Sequence, residues 1–386
     1  MMSALQRELN AFFSKVLSSD YTIQAVTKGA LTQARAKLKP EAFLELNQKG
    51  LDEFYSGAPY LIWKTHRILA IDGSTINLPS HKSTFEEFGK YGVGCNGDVE
   101  RSMARISICY DVLNLLTLDA RIDRFDSSEQ ALLKNHLEHA SFQKDDLLLL
   151  DRGYPSIALM YTLQQRGMQF CMRMKDSWWK EVEAFRQSGL QSKEVMFELP
   201  KKDLHLQQEF GSTSTSVRCR LVAITLDNGQ IEILCTSLLD QQEYTIEELK
   251  DLYHARWNVE EAYKLLKCRA QLEAFSGKTA VSVKQDFYAK IFMMTMCALL
   301  SFPIEEKLRE EHKHSKNKHP RKVNRTNVLG FLRESWIALW LTNRKKKILE
   351  AMDFTLFKTA DIVRKGRSFP RKKSSKKPPP ANYKQL

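Results

Sequence analysis

The sequence predicts an α/β fold in which helices cover a mixed sheet, and three observations carry that reading. Runs of strand length alternate with amphipathic helices from Arg67 to Met174, in the order strand, strand, strand, helix, strand, helix, strand. One run, Leu147 to Leu150, is apolar at every position, the pattern of a strand buried on both faces. A β-rich stretch follows, then a long helix of unusual polar content.

The N-terminal stretch, with ALQRELNAFFSKVL and LKPEAFLELNQKGLDEFY, has helical periodicity and lacks strand-like runs. Within it, YTIQAVTKGALTQARAKL pairs two short helical stretches across Thr27-Lys28-Gly29, the second offering Thr32, Gln33, Arg35 and Lys37. A DNA-reading helix-turn-helix and an ordinary helical hairpin both fit this pattern. RILAID then reads as a strand ending in Asp72, and SMARISICYDV and LLTLDARID as two strands with a short break between them. SSEQALLKNHLEHA is a helix opened by a serine cap, and DDLLLLD is a strand ending in Asp151. RGYPS, the helix IALMYTLQQRG and the strand MQFCMRM come next. In the β-rich stretch, VMFELP precedes VRCRLVAITLD and GQIEILCTSLL, which join at the hairpin signal Asp227-Asn228-Gly229. Beyond Pro303 the pattern is helical, broken by the basic loop HKHSKNKHPRKVNR, and the last segment, RKGRSFPRKKSSKKPPPANYKQL, has the composition of a flexible arm. The divisions expected are a helical, DNA-binding 1–62, a catalytic unit at 63–175 and 245–305, a β-rich insertion at 176–244, a helical region at 306–363 and a basic tail at 364–386.

An apolar fraction of 43% and a charged fraction of 27% exclude wholesale disorder. The longest apolar run, IFMMTMCALLSFPI, falls short of the roughly 20 residues a bilayer span needs, and the N-terminus lacks a secretory signal pattern. The expectation is a cytoplasmic protein with no membrane role. Seven widely spaced cysteines with no C-x-x-C pair argue against a disulfide framework or a zinc module. The net charge is +13, and +11 of it lies between Asn343 and Leu386, which points first to nucleic acid as partner.

The polar helix is LYHARWNVEEAYKLLK, residues 252–267. On a wheel of about 100° per residue, Tyr253, Arg256, Trp257, Glu260, Lys264 and Lys267 share one arc, while Leu252, Ala255, Val259, Ala262, Tyr263 and Leu266 form a packing face. A ladder of Arg256–Glu260 and Glu260–Lys264 pairs would account for the charges alone. Asp72 and Asp151 open a second reading, because each closes an apolar strand at the rim where α/β sheets place ligand chemistry, although Asp before Gly is also ordinary turn chemistry. Drawn together, the three acids would make an oxygen-rich site for Mg2+, and a pair of such ions supports in-line displacement at phosphorus. From Tyr253 to Lys267 the helix rises about 21 Å, on the order of six nucleotides of one strand. Arg256, Lys264 and Lys267 would then hold phosphates, and Tyr253 would bond or stack near the strand end.

Asp72, Asp151 and the spacing Tyr253-x2-Arg256-x3-Glu260-x6-Lys267 together resemble the DDE transposases of bacterial insertion sequences. More narrowly, they are similar to the insertion-sequence-four family, with its Y-x2-R-x3-E-x6-K signature. AIDGSTINLP, DLLLLDRGYPS and LEAFSGKT match as well, so the resemblance covers roughly Arg67 to Lys290. It implies an RNase H-like fold carrying the 176–244 insertion. It further implies Asp72, Asp151 and Glu260 as catalytic acids holding two Mg2+ ions, with Mn2+ as a substitute, and the signature Tyr, Arg and Lys on element-end phosphates. The activity implied is cut-and-paste transposition of double-stranded DNA by a homodimer in a synaptic complex, in the bacterial cytoplasm at the nucleoid. Some members stack a flipped base on an insertion tryptophan; Trp178 and Trp179 stand in that stretch, and packing is the other reading for them. The competing functions are another RNase H-like endonuclease and an inactivated or domesticated copy that only binds DNA.

Overall fold

The computed structural model describes residues 5–19, 21–93, 99–175, 179–226 and 229–364. Three helices lead the chain: α1 (Leu5–Val16), α2 (Lys28–Ala36) and α3 (Glu41–Gly57). Then come β1 (Ile68–Leu78), α4 (Lys82–Phe88), β2 (Lys90–Val93), β3 (Val99–Asp111), β4 (Leu116–Arg124), α5 (Glu129–His139), β5 (Leu147–Leu150), α6 (Ile157–Gln165) and β6 (Gln169–Arg173). The β-rich stretch supplies α7 (Lys180–Gln187), β7 (Ser192–Glu198), α8 (His205–Glu209), β8 (Ser216–Thr225) and β9 (Ile231–Thr236). The remainder is mainly helical, with α9 (Ile246–His254), α10 (Trp257–Lys264), α11 (Ala280–His314), α12 (Arg325–Leu341) and α13 (Lys345–Lys358), plus a two-residue antiparallel pairing of Arg321–Lys322 with Asp361–Ile362.

Among the described residues the main sheet runs β2-β3-β1-β5-β6-β9-β8-β7, with β4 beside β3. β1 pairs antiparallel with β3 from Leu69↔Asp111 to Leu78↔Ser102, and parallel with β5 from Ile68↔Leu147 to Ile71↔Leu150. Alternation then decides which side chain meets which layer. Ile68, Ala70, Leu147 and Leu149 face one core with side chains of α9, α10 and α11, while Leu69, Ile71, Leu148 and Leu150 face the other with those of α5, α6 and α7. That double cover is why β5 is apolar at every position. Ser128 caps α5 by accepting from the Ala131 amide, as its sequence requires.

Several expectations need correction. β1 does not end at Asp72; it runs on to Leu78, because β3 stays paired with it after β5 has stopped. The short α4 and β2 were not expected from the pattern. β9 pairs antiparallel with β6, so the strands of 176–244 extend the same sheet. The hairpin joins Thr225↔Ile231 in register, while Asp227 and Asn228 at its tip lie outside the described residues. Trp178 lies outside them too; Trp179 packs edge-on against Phe197 with ring centroids 5.1 Å apart. No helix-turn-helix forms at 21–38, since 21–26 is not helical and Thr27 caps α2. Arg35 turns inward, where its guanidinium meets Asp286 at 3.1 Å and Gln285 at 3.0 Å. α11 continues through Pro303 for 35 residues. By length and composition it is apolar enough to cross a membrane, yet 56% of its apolar window is buried inside the fold. Residues 365–386, most of the basic tail, lie outside the described part.

Candidate active site

Asp72 and Asp151 are the next positions in the parallel ladder after Ile71↔Leu150. By alternation Asp72 shares the face of Ile68 and Ala70, and Asp151 that of Leu147 and Leu149. This is the face that α9 and α10 cover. The rim exists because β5 stops at Leu150 while β1 does not.

The helix over that rim is not the single rod expected from its wheel. α9 ends at His254, and the amides of Ala255, Arg256, Asn258 and Val259 all bond three residues back, so the chain tightens through one turn before α10. After Lys264 it widens into a π turn at Leu265–Arg269. A uniform 100° step therefore fails twice within sixteen residues, and the six polar side chains do not share one environment. Tyr253 and Arg256 are buried, whereas Trp257 is 45% exposed. Lys264 faces solvent and pairs with Glu261. Lys267 bends back onto β1, its ammonium donating to the Ser74 hydroxyl at 2.6 Å and the Thr75 carbonyl at 2.8 Å.

Arg256 is the centre of the arrangement. Its Nη2 donates to Glu260 Oε1 at 3.3 Å, and the same guanidinium interacts with Asp72 and Asp151. It also lies over the Tyr253 and Trp257 rings, 5.7 and 6.0 Å from their centroids. Burial opposes its charge, but Tyr253 and the three acids outweigh that and raise its pKa. The Tyr253 hydroxyl donates to the Leu150 carbonyl, the last of β5. The structure thus brings Asp72, Asp151, Glu260, Arg256 and Tyr253 to one rim, sets Lys267 along β1 beside it, and leaves Lys264 outside.

Burial pushes the Asp72 carboxyl up to about 6; Arg256 and the Gly73 amide pull against this, and Glu260 and Asp151 reinforce it. Two hydroxyls fix the Asp72 backbone: Tyr263 donates to its carbonyl at 2.8 Å and Ser107 at 3.1 Å. Behind Ser107, the buried His136 bonds the Ser107 hydroxyl at 2.9 Å and Asp119 at 2.6 Å. This Ser-His-Asp chain is sealed in the core, so it holds β1 rather than attacking anything. Its members lie on three elements, and no local spacing could have singled them out; Tyr263, which sat on the expected packing face, was equally hidden.

A set of hard carboxylate oxygens suits Mg2+. Among the described residues no three His, Cys, Asp or Glu side chains already gather around a common point. Glu260 is engaged by Arg256, whose guanidinium also interacts with Asp72 and Asp151.

An aspartate within β1 and another just past the end of β5, a helix-borne glutamate above them and an arginine balancing all three define a mixed α/β protein with an acidic, cation-lined rim. Residues 63–297 match the family described as "Transposase DDE domain", and the chain belongs to that family. It is similar to transposase InsG for insertion sequence element IS4 of Escherichia coli (strain K12), 22% identical over 288 residues, which agrees with the insertion-sequence-four resemblance. That alignment takes in 74% of this chain and 63% of the relative, so the chain spans less than two thirds of the relative's length. Among solved structures, the piggyBac transposase synaptic complex with hairpin DNA aligns with 75% of this chain and 57% of its own, at a TM-score of 0.42 and 11% identity.

Proposed function

We propose that this chain is a DNA transposase that cleaves insertion-sequence ends with Mg2+ and joins the freed 3′ ends to target DNA. The observation that carries the reading is the convergence of Asp72, Asp151 and Glu260 on one rim, next to basic side chains, in a chain of the transposase DDE family. The run β4-β3-β1-β5-β6, antiparallel on one side of β1 and parallel on the other, supports an RNase H-like catalytic core. Asp72, Asp151 and Glu260 would hold the metal, which when bound supplies Lewis acidity and an activated attacking oxygen. Arg256 would neutralise the acids and, once they are engaged otherwise, turn its charge toward a phosphate. Tyr253 keeps the Arg256 end of the helix against β5, and Lys267 sets a cation beside β1 where the backbone of a DNA strand would pass. A homodimer pairing two element ends in the cytoplasm, at the nucleoid, completes the proposal.

The direct test is incubation of the purified chain with duplex DNA carrying the inverted repeats that flank its gene. Nicks leaving 3′-hydroxyls at the repeat boundary, dependent on Mg2+ or Mn2+ and stopped by chelation, are expected. Binding without cleavage under any divalent ion would leave only a DNA-binding protein.

Lys267→Ala should weaken end binding and lower the slope of log affinity against log salt by about 0.9, the share of one phosphate contact. Titrations between low and moderate salt measure it, and an unchanged slope would reduce Lys267 to an internal tie onto Ser74 and Thr75. Deleting Arg364 to Leu386 removes nine cations, so affinity for random-sequence duplex should fall more than affinity for the ends. Equal losses would mean the tail takes part in end recognition.

A further inference from the structure

We propose that Glu129 is a fourth acidic group of this site, closing the metal-binding rim from the α5 side. The inference rests on the reading of the site given above and adds to it a residue outside the signature. Glu129 opens α5, and its side chain leans over the two glycines that follow the strand acids. A Cβ placed on Gly153 would stand 2.5 Å from Glu129 Oε2, and one on Gly73 would stand 3.5 Å from Glu129 Cγ. Gly153 has no positive φ, so backbone conformation does not require glycine there; an added Cβ would instead push the Glu129 carboxylate aside. The Glu129 side chain thus lies against both glycines, in ordinary contact distance of a Cβ at Gly73 and too close for one at Gly153.

A second, independent feature points into the same place. Tyr154 is 1% exposed, and its hydroxyl is buried with no hydrogen-bond partner. That hydroxyl lies within electrostatic reach of Asp72, Glu129 and Asp151 together. A buried hydroxyl is rarely left unpaired; a water held by a metal ion among these carboxylates would give it a partner. Glu129 itself is only loosely held, with Arg105 Nη1 at 3.8 Å from Oε1, beyond hydrogen-bond length. The carboxylate remains available to a divalent cation as an oxygen ligand, directly or through a water.

The test reads metal binding rather than turnover. Mn2+ is titrated into the purified full-length chain and free Mn2+ is followed by its electron paramagnetic resonance signal, with thermal melts on every variant to establish folding. Glu129→Gln should fold as wild type and bind at least one ion about 10-fold or more weakly, and Gly153→Ala, which displaces Glu129 while keeping its charge, should weaken binding in the same direction. Arg105→Gln should leave binding intact or tighten it. If Glu129→Gln and Gly153→Ala bind Mn2+ as wild type does while Asp72→Asn does not, the proposal falls and the three-acid site stands. If Asp72→Asn also binds as wild type, the metal reading of the whole site falls, and this proposal with it.

Discussion

Asp72→Asn is expected to abolish end cleavage and, with divalent metal absent, to make the folded protein more stable at neutral pH. The two effects share one cause. Burial, with Glu260 and Asp151 nearby, raises the Asp72 carboxyl from 3.8 to about 6. Between those values the folded chain keeps a proton that the unfolded chain has released, so stability falls as pH rises through the window and stays low above it. The full cost is roughly 3 kcal/mol before solvent screening. Asparagine keeps the shape and removes the charge, so melting in chelator should show Asp72→Asn above wild type at pH 7.5, with the gap closing near pH 4. Cleavage should drop on the order of 10⁴-fold, while a gel shift still shows end binding. Glu260→Ala should lose as much cleavage with the opposite effect on stability, because it leaves the buried Arg256 without its 3.3 Å partner. An Asp72→Asn protein that cleaves, or one that melts below wild type in chelator at pH 7.5, would contradict this account of the rim.

What the sequence made legible is what alternation and short spacing encode. The all-apolar β5, the serine cap of α5 and the hairpin pairing of β8 with β9 each follow from patterns a few residues long. The approach of Asp72 to Asp151 was legible for the same reason, since each closes an apolar run of matching length. The path of the helix from Tyr253 to Lys267 was not, because a wheel assumes one pitch and this segment changes pitch twice. The network beneath Asp72 was hidden for a different reason. Ser107, Asp119, His136 and Tyr263 are spread over about 160 positions, and it takes the pairing of β1 with β3 and of β3 with β4, together with α5 and α10 packed on those strands, to draw them together. Arg35 shows the converse error: a cation on a short, mostly exposed helix reads as a DNA contact until a distant helix supplies Asp286.

Asp146→Ala is expected to be the most damaging single change to stability, and to reduce cleavage without touching the site. Arg67 and Asp146 precede the first registered pair, Ile68↔Leu147, just as Asp72 and Asp151 follow the last. Arg67 Nε and Nη2 reach the two Asp146 oxygens at 2.8 and 2.7 Å, and both side chains are almost fully buried. The Gln143 amide also donates to Asp146, and Arg67 lies over the Tyr55 ring. Removing one partner strands a buried charge, which costs about 3–5 kcal/mol. The site suffers because four apolar pairs do not specify register by themselves: a slip of two residues keeps every leucine in a core yet moves Asp151 away from Asp72. The bidentate pair admits one register only. Chemical denaturation of Asp146→Ala should show the loss, and the double variant Arg67→Met with Asp146→Leu should recover most of it, since two apolar groups leave no charge stranded. If register is what the pair protects, the double variant regains stability while its cleavage stays below wild type; full recovery of both would mean that flanking contacts alone align the acids.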